Sequence, residues 1–448
     1  MAFSSLEFVF LFLPAMLAAY YITPPKVRGV TMLLGSLFFY WWGVRSNPWM
    51  LGLLLVLMAW TYGAGVVMVY HRAWAGTILV LSWTVLFGTL LFFKYMGLFA
   101  ESPLPLPAGI SFYTFTMAAY LADVARRKGP ADWNPLRFAN GVLLFPKLLS
   151  GPITPLTSVR RPCCRVSNFN LGLREFIWGL GLKLLLADQL GGLWRQLGNI
   201  GYESVSAPLA WLGLVAFSLQ LYFDFYGYSK MAVGVGHMLG YHLPENFDHP
   251  YASRTMTEFW RRWHITLNAW FRDYIYIPLG GSRCSSGQHI RNLLIVWICT
   301  GLWHGSTLNY LLWGLSLFGL IVLEKRWTGA FFQRHGILCR FYMIPACLLT
   351  WMLFAIPDLH QLWTFAGRLF TEYSWSAPDF QRHLQQYGGY LAAGILLATP
   401  YPERLWRRLQ RTAFGTIVLV IIFWAGAHAM AAGQNDPLLF FIFLEGPT

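Results

Sequence analysis

Charge is what this chain lacks. Asp, Glu, Lys and Arg make up only 12% of its 448 residues, where a soluble domain carries about a quarter. Acidic side chains are the scarcer kind, 19 against 33 Lys and Arg, for a formal charge of +14. So little polar side chain cannot coat a water-soluble particle of this size. With 56% of residues hydrophobic, the composition specifies a polytopic membrane protein whose bundle forms a single domain, 1–448. Internal repeats, low-complexity tracts and detachable soluble domains are missing too. Few acids in the apolar runs and no repeat argue against a proton-coupled transporter with His304 and Asp224 on its path, the reading from a different functional class.

Familiar catalytic signatures are absent as well. There is no G-x-S-x-G elbow, H-E-x-x-H, Walker A or paired C-x-x-C, so serine hydrolysis, zinc catalysis and nucleotide hydrolysis lose support. "GVGHMLG" at 234–240 has no strand before it and is not a dinucleotide fingerprint. The six cysteines lack metal or redox spacing and read as free thiols. The adjacent Cys163 and Cys164 are a candidate lipidation pair. His237, His242 and His249 miss the i, i+4 spacing of a helical metal pair, so no metal is expected. The basic residues invite a nucleic-acid reading but sit in short loops: Lys26 and Arg28, Arg126 to Lys128, Arg160, Arg161 and Arg165, Lys325 and Arg326, Arg404 to Arg411. That is the positive-inside pattern, and no nucleic-acid partner is expected.

What is present is a series of apolar segments alternating with these loops. Residues 5–22, 29–43, 49–70, 75–98 and 108–125 read as spans, and about 171–193, 207–226, 341–356, 387–399 and 412–432 follow. The N-terminal stretch has no positive n-region and carries Glu7, so it reads as a retained first helix, with both termini extracytoplasmic. About 10–12 spans are expected in all. "LRFANGVLLFPKLLSGPITP" is apolar but broken by Gly and Pro, and reads as re-entrant.

Three stretches carry candidate chemistry. In residues 257–283, Trp260, Trp263, Leu267, Trp270, Phe271 and Tyr274 form one helical stripe. Arg261, Asn268 and Arg272 lie opposite, with His264 at the border. The pattern predicts one amphipathic helix at the cytoplasmic interface. The run 292–323 is interrupted at "HGS", which predicts two half-spans meeting at His304. On the first of these, Trp297, Thr300, Gly301 and His304 share a face, so the small residues would leave the imidazole looking onto space. Burial favours a neutral imidazole able to accept a proton, and an ionisable group deep in a membrane reads as functional. In residues 219–247, Asp224 stands among Tyr222, Tyr226 and Tyr228, where a carboxylate satisfied by tyrosine hydroxyls is the plain structural reading.

Taken together, "LPAGISFYTF", "FPKLLSGPI", "GLKLLLADQL", "YFDFYGYSKMAVGVGHMLGYHLPENFDHPY", "EFWRRWHITLNAWFRDYIYIPLGG" and "GLWHGSTLNYLLWG" resemble the membrane-bound O-acyltransferases (MBOAT). Within that family the chain looks closest to the bacterial branch of alginate O-acetylation. The resemblance implies an all-α bundle of transmembrane helices around a funnel or tunnel, with re-entrant and interfacial helices. By it, residues 1–130 would be N-terminal helices, 131–330 the catalytic core and 331–448 C-terminal helices. It also implies two functional histidines, His304 in "LWHG" and His264 in "RRWH". The chain departs from the branch pattern at Tyr226, Lys230, Thr116 and Ile442, leaving the histidines in place.

The implied reaction is an O-acetyl transfer at the bacterial inner membrane, from a cytoplasmic acyl thioester to an extracytoplasmic polymer. The acceptor would be an exopolysaccharide such as alginate or cellulose, or peptidoglycan. The expected donor is acetyl-CoA as co-substrate, with no permanently bound cofactor; a carrier-protein thioester is the alternative. His304 would act as general base or carry an acyl group, and His264 would orient the thioester. Arg261, Arg262, Arg272 and Asn268 are candidate donor-binding residues. Trp303, Asn309, Thr300, Asp224 and Tyr222 are candidate tunnel-lining residues, with Trp303 and Asn309 considered for the oxyanion. An extracytoplasmic acetyl-relay protein is the expected partner. A bis-histidine haem protein is a weaker third reading.

Overall fold

The computed structural model describes residues 2–100, 104–128, 134–156, 164–328, 331, 334–371, 377–433, 436, 438 and 439. The expectations for Arg160, Arg161, Cys163 and Ile442 lie outside the described residues. Among those described there is helix and no strand, so the chain is all-α. Among the described residues, seven helices are long and apolar enough to cross a membrane: Trp49–Tyr70, Arg72–Leu98, Val166–Ile200, Ala207–Met238, Leu308–Trp327, Leu338–Ala355 and Ala413–Ala431. Their outward faces carry large apolar side chains such as Val56, Trp60, Val80, Ile421 and Trp424. Hydrocarbon, not water, is the medium that tolerates such faces. Among the described residues, Cys164, Cys284, Cys299, Cys339 and Cys347 form no disulfide.

Two compact units divide the chain, Met1–Gly179 with Tyr228–Glu245, and Leu180–Gly227 with Asn246–Pro447. The first contains α1 (Leu13–Ile22), α2 (Arg28–Gly43), α3 (Trp49–Tyr70), α4 (Ala75–Tyr95) and α5 (Ile110–Ala125). Packed on α3 and α4, α5 has fourteen of its sixteen residues buried, as a helix apolar all round requires. Next come α6 (Pro135–Leu143) and α7 (Phe145–Leu148), short pieces followed by buried non-helical chain. This segment is discontinuous where Gly and Pro break it. Its buried Lys147 donates to Thr154 Oγ1 at 3.0 Å. Helix α8 (Val166–Gly181) approaches the end of α10 (Ala207–Met238) through glycine: a Cβ at Gly172 would lie 2.3 Å from the Gly234 carbonyl oxygen. Of the departures from the branch pattern, Lys230 pairs with Glu245 at 2.9 Å and Thr116 donates to the Phe112 carbonyl.

The second unit runs from the π-helical turn Leu182–Ala187 through α9 (Asp188–Ile200) and the first part of α10. It continues with α11 (Met256–Arg262), α12 (Ile265–Phe271), α13 (Ser286–His304), α14 (Leu308–Leu323) and α15 (Gly336–Ala355). Then follow α16 (Leu359–Arg368), α17 (Pro378–Leu397), α18 (Pro400–Leu409) and α19 (Ala413–Ala431). Its buried charges are clustered. Lys183 bonds Asp188 and, at 2.8 Å, Asp224, while Asp224 accepts from the Leu439 backbone N–H. The tyrosine partners expected for Asp224 are thus replaced by a lysine. A π-turn makes this possible, because it sets Lys183 and Asp188, five apart, on one face.

Outside the spans, His249 holds Glu403 at 3.0 Å through Nε2 and Asp248 at 3.3 Å through Nδ1. Tyr226 donates to the same Glu403 at 3.2 Å. Burial alone would lower the His249 pKa, but the hydrogen bonds to Glu403 and Asp248 outweigh it and raise the value. A raised folded-state pKa stabilises the fold fully below the unfolded value of about 6.5, and that stability is lost as pH rises through the folded value. Melting temperature should therefore fall as pH is raised above about 6.5, and His249→Gln should flatten that dependence. Parallel pH profiles for the two proteins would refute the assignment.

Candidate active site

Sequence spacing predicts one continuous helix across residues 257–283, and the structure corrects this. Helix α11 begins at the Thr255 cap, whose side chain accepts from Glu258 N at 3.1 Å, and it stops at Arg262. Trp263 is extended and His264 is left-handed at φ 44°, after which α12 starts in a new direction. A non-glycine residue held there is uncommon and needs outside support. Asn246 supplies it: Oδ1 accepts from Thr266 N at 3.2 Å and Thr266 Oγ1 at 3.0 Å, and its carbonyl accepts from Ile265 N. The same Oδ1 lies 3.1 Å from His264 Nδ1. Because Oδ1 can only accept, this contact assigns the imidazole proton to Nδ1 and leaves Nε2 as the accepting nitrogen. Asn268 bridges the break, donating to the carbonyls of Trp260, Trp263 and His264. His264 is buried, and that burial lowers its pKa to about 3, so it is neutral. The apolar stripe faces the protein core: Trp260, Trp263, Leu267, Trp270 and Phe271 are all buried.

His304 is the last residue of α13. The expectation of two half-spans is also corrected. A Cβ at Gly301 would meet the Tyr310 carbonyl oxygen at 2.7 Å, and one at Gly314 would meet that of Trp297 at 2.6 Å. As one partner number rises the other falls, so α13 and α14 form an antiparallel hairpin with His304 at its tip. The small residues serve this close approach. A Cβ at Gly305 would lie 2.2 Å from a ring carbon of Tyr310, so the space sequence reasoning assigned to the imidazole is filled by α14.

The opening beside His304 lies on another side, and His264 borders it too. The two histidines share a partly open cavity of about 20 Å³, walled by Leu221 and Phe225 of α10, Trp260 and Trp263, Leu267, Asn268 and Phe271, and Trp297 and Thr300 of α13. Trp313, Trp351 and Phe354 complete it. That volume holds about one water. The His304 ring stands edge-on to Trp313 and Phe354, with centroids 4.9 and 5.1 Å apart. Trp303 lies beside both histidines, 4.7 Å from His304 and 6.4 Å from His264 between centroids. Two histidines bordering a small, largely aromatic chamber suit a reaction that moves a proton and limits the access of water.

The remaining predicted residues divide. Thr300 and Asn268 line the cavity. The Asn309 amide donates to the Leu353 and Phe354 carbonyls. Asp224 sits in the lysine cluster, and Tyr222 stacks on Tyr226 at 5.3 Å. Arg261 is exposed, Arg262 pairs with Glu258 at 2.7 Å and Arg272 with Asp273 at 2.7 Å. Sequence reasoning missed Asn246, Lys183, Trp351 and Phe354. The first two stand within "PENFDHP" and "GLKLLLADQL"; a lysine in an apolar run was an available signal for Lys183, whereas Asn246 stands among other polar residues.

A family model described as "MBOAT, membrane-bound O-acyltransferase family" matches residues 37–360. The "Probable alginate O-acetylase AlgI" of Pseudomonas aeruginosa is 35% identical over 405 residues, covering 85% of this chain and 77% of that protein. The "Peptidoglycan O-acetyltransferase" of Helicobacter pylori is 32% identical over 367 residues, covering 70% and 68%. The "Teichoic acid D-alanyltransferase" of Streptococcus thermophilus is 28% identical over 243 residues, covering 49% and 57%.

Proposed function

Because the chain belongs to the membrane-bound O-acyltransferase family, we propose that it O-acetylates a polysaccharide or cell-wall polymer outside the bacterial inner membrane, drawing the acetyl group from a cytoplasmic thioester. The observation that carries this reading is the convergence of His264 and His304 on one cavity. The names of the alginate and peptidoglycan relatives support the acetyl group and the polymeric acceptor.

In this mechanism His304 takes the proton of the acceptor hydroxyl as its oxygen attacks the thioester carbonyl. The C–S bond breaks, and the thiolate leaves with the proton returned by His304. A thiol of pKa about 8.5 is a far better leaving group than an alkoxide, so no metal is needed for departure. His264, neutral and fixed by Asn246, orients the thioester. Arg261, Arg262 and Arg272 attract donor phosphates at the cytoplasmic mouth, the latter two after leaving Glu258 and Asp273. An extracytoplasmic relay protein passes the acetyl group to the polymer.

Purified protein in lipid nanodiscs tests this. With acetyl-CoA labelled in the acetyl group, free CoA and labelled acetyl ester should appear together when a hydroxyl acceptor is supplied. Turnover with an acetyl thioester on a carrier protein and none with acetyl-CoA would overturn the donor assignment. Absence of acetyl transfer with either donor would overturn the reaction.

A further inference from the structure

The second unit contains another cavity, of about 480 Å³, whose lining shares no residue with the histidine chamber. Its walls include Asp188 and Arg195 of α9, Gln386, Tyr387 and Tyr390 of α17, and Asp436. Gly192 also borders it, and a Cβ there would stand 3.1 Å from Tyr387 Oη, so glycine leaves the tyrosine its place. Helix α19 starts beside the basic helix α18 and ends just before Gly433 and Asp436. The cavity therefore lies at the end of α19 away from Arg404, Arg407 and Arg408, which the positive-inside rule makes the outer end.

The lining chooses among ligands. Both of its acids are already neutralised, Asp188 by Lys183 and Asp436 by Arg195. A phosphate would meet two carboxylates and no unengaged cation from these pairs. A neutral polyol meets what it needs. Carboxylate oxygens accept its hydroxyls, the Gln386 amide both donates and accepts, and tyrosine faces pack against its C–H groups. The volume falls within the range of small-molecule sites, about 300–1,000 Å³. We propose that this cavity holds a neutral, hydroxyl-rich sugar unit of the acceptor polymer while the relay protein passes the acetyl group to it, an inference that rests on the acyltransfer reading above for its purpose. A buried ion-pair chain runs from this lining toward the chamber: Lys183, which holds Asp188, holds Asp224 too, one residue before the chamber-lining Phe225.

Saturation-transfer NMR on the full chain in nanodiscs tests it, with a neutral β-linked gluco-oligosaccharide as one probe and glycerophosphoglycerol, a lipid headgroup, as the other. The oligosaccharide should give signal with the wild type and with His304→Ala. Its affinity should fall about 10-fold or more in Gln386→Ala and Tyr390→Ala, the loss of roughly one hydrogen bond or ring contact. Tyr390→Phe, which keeps the ring face, should retain most binding and controls for folding. Undiminished binding in both alanine variants, no signal with the wild type, or signal from the headgroup probe alone would overturn the proposal. If His304→Ala binds sugar and still transfers acetyl groups, the catalytic assignment falls while the sugar site stands.

Discussion

His304→Ala is expected to lower acyl transfer by about 10²–10⁴-fold, the usual contribution of a positioned general base, with protein still present in the membrane. The effect is large because the other base bordering the chamber, His264, is fixed by Asn246 and serves the thioester in this mechanism. The rings packed on His304, Trp313 and Phe354, cannot take a proton. Water is poorly placed to replace it, since the chamber holds about one molecule at most. Removing a packed ring also leaves a void, so a companion His304→Gln variant should be measured, which fills the site without supplying a comparable base. Both should fail in consumption of labelled thioester and in acetylation of envelope polymer measured by mass spectrometry. Full acetylation by either variant at normal membrane levels would remove His304 from the mechanism.

Lys183→Met should produce the largest loss of stability, about 3–5 kcal/mol, the cost of stripping one partner from a buried ion pair. The lysine is fully buried, and so are Asp188 and Asp224, the two carboxylates it neutralises. Methionine fills the volume but leaves two acids facing each other without a cation. Lys183 also donates to the Asp436 carbonyl, and Asp224 and Asp188 accept from Leu439 and Asp436 backbone N–H groups, so the chain end should loosen with the core. Asp224→Asn should cost much less, because Lys183 keeps Asp188. Thermal unfolding in detergent gives the ranking directly. Equal melting temperatures for the two variants would mean that the cluster does not stabilise the fold in this way.

Much of the architecture was legible in the sequence. Long apolar runs have one satisfactory structure in lipid, the helix, which pairs every backbone polar group internally. That is why Trp49–Tyr70 and Ala413–Ala431 were found close to their observed bounds, while the helix Val166–Ile200 was recognised but read too short. The Gly- and Pro-broken stretch around Pro146 was also recognisable, because both residues interrupt helix by local geometry. Where the reasoning went wrong, periodicity was extended through a break that it does not encode. The stripe from Trp260 to Tyr274 has good helical spacing, yet the chain turns at His264, and what holds that turn is Asn246, eighteen residues away.

The glycines beside His304 show the same division. Small residues next to a buried imidazole signalled close approach, but a sequence does not say what approaches. Here it is the backbone and Tyr310 of α14, and the chamber opens on the other side. By itself the sequence determined the membrane class, the helices and the family that supplies the two histidines, since hydrophobicity, backbone satisfaction and motifs are carried by local runs of residues. Only the tertiary structure decided that those histidines share one largely aromatic chamber, that Lys183 binds the distant Asp224 as well as Asp188, and that a separate polar cavity lies between α9 and α17. Those features depend on side chains that meet through packing, and packing partners far apart in the chain leave no periodic trace in it.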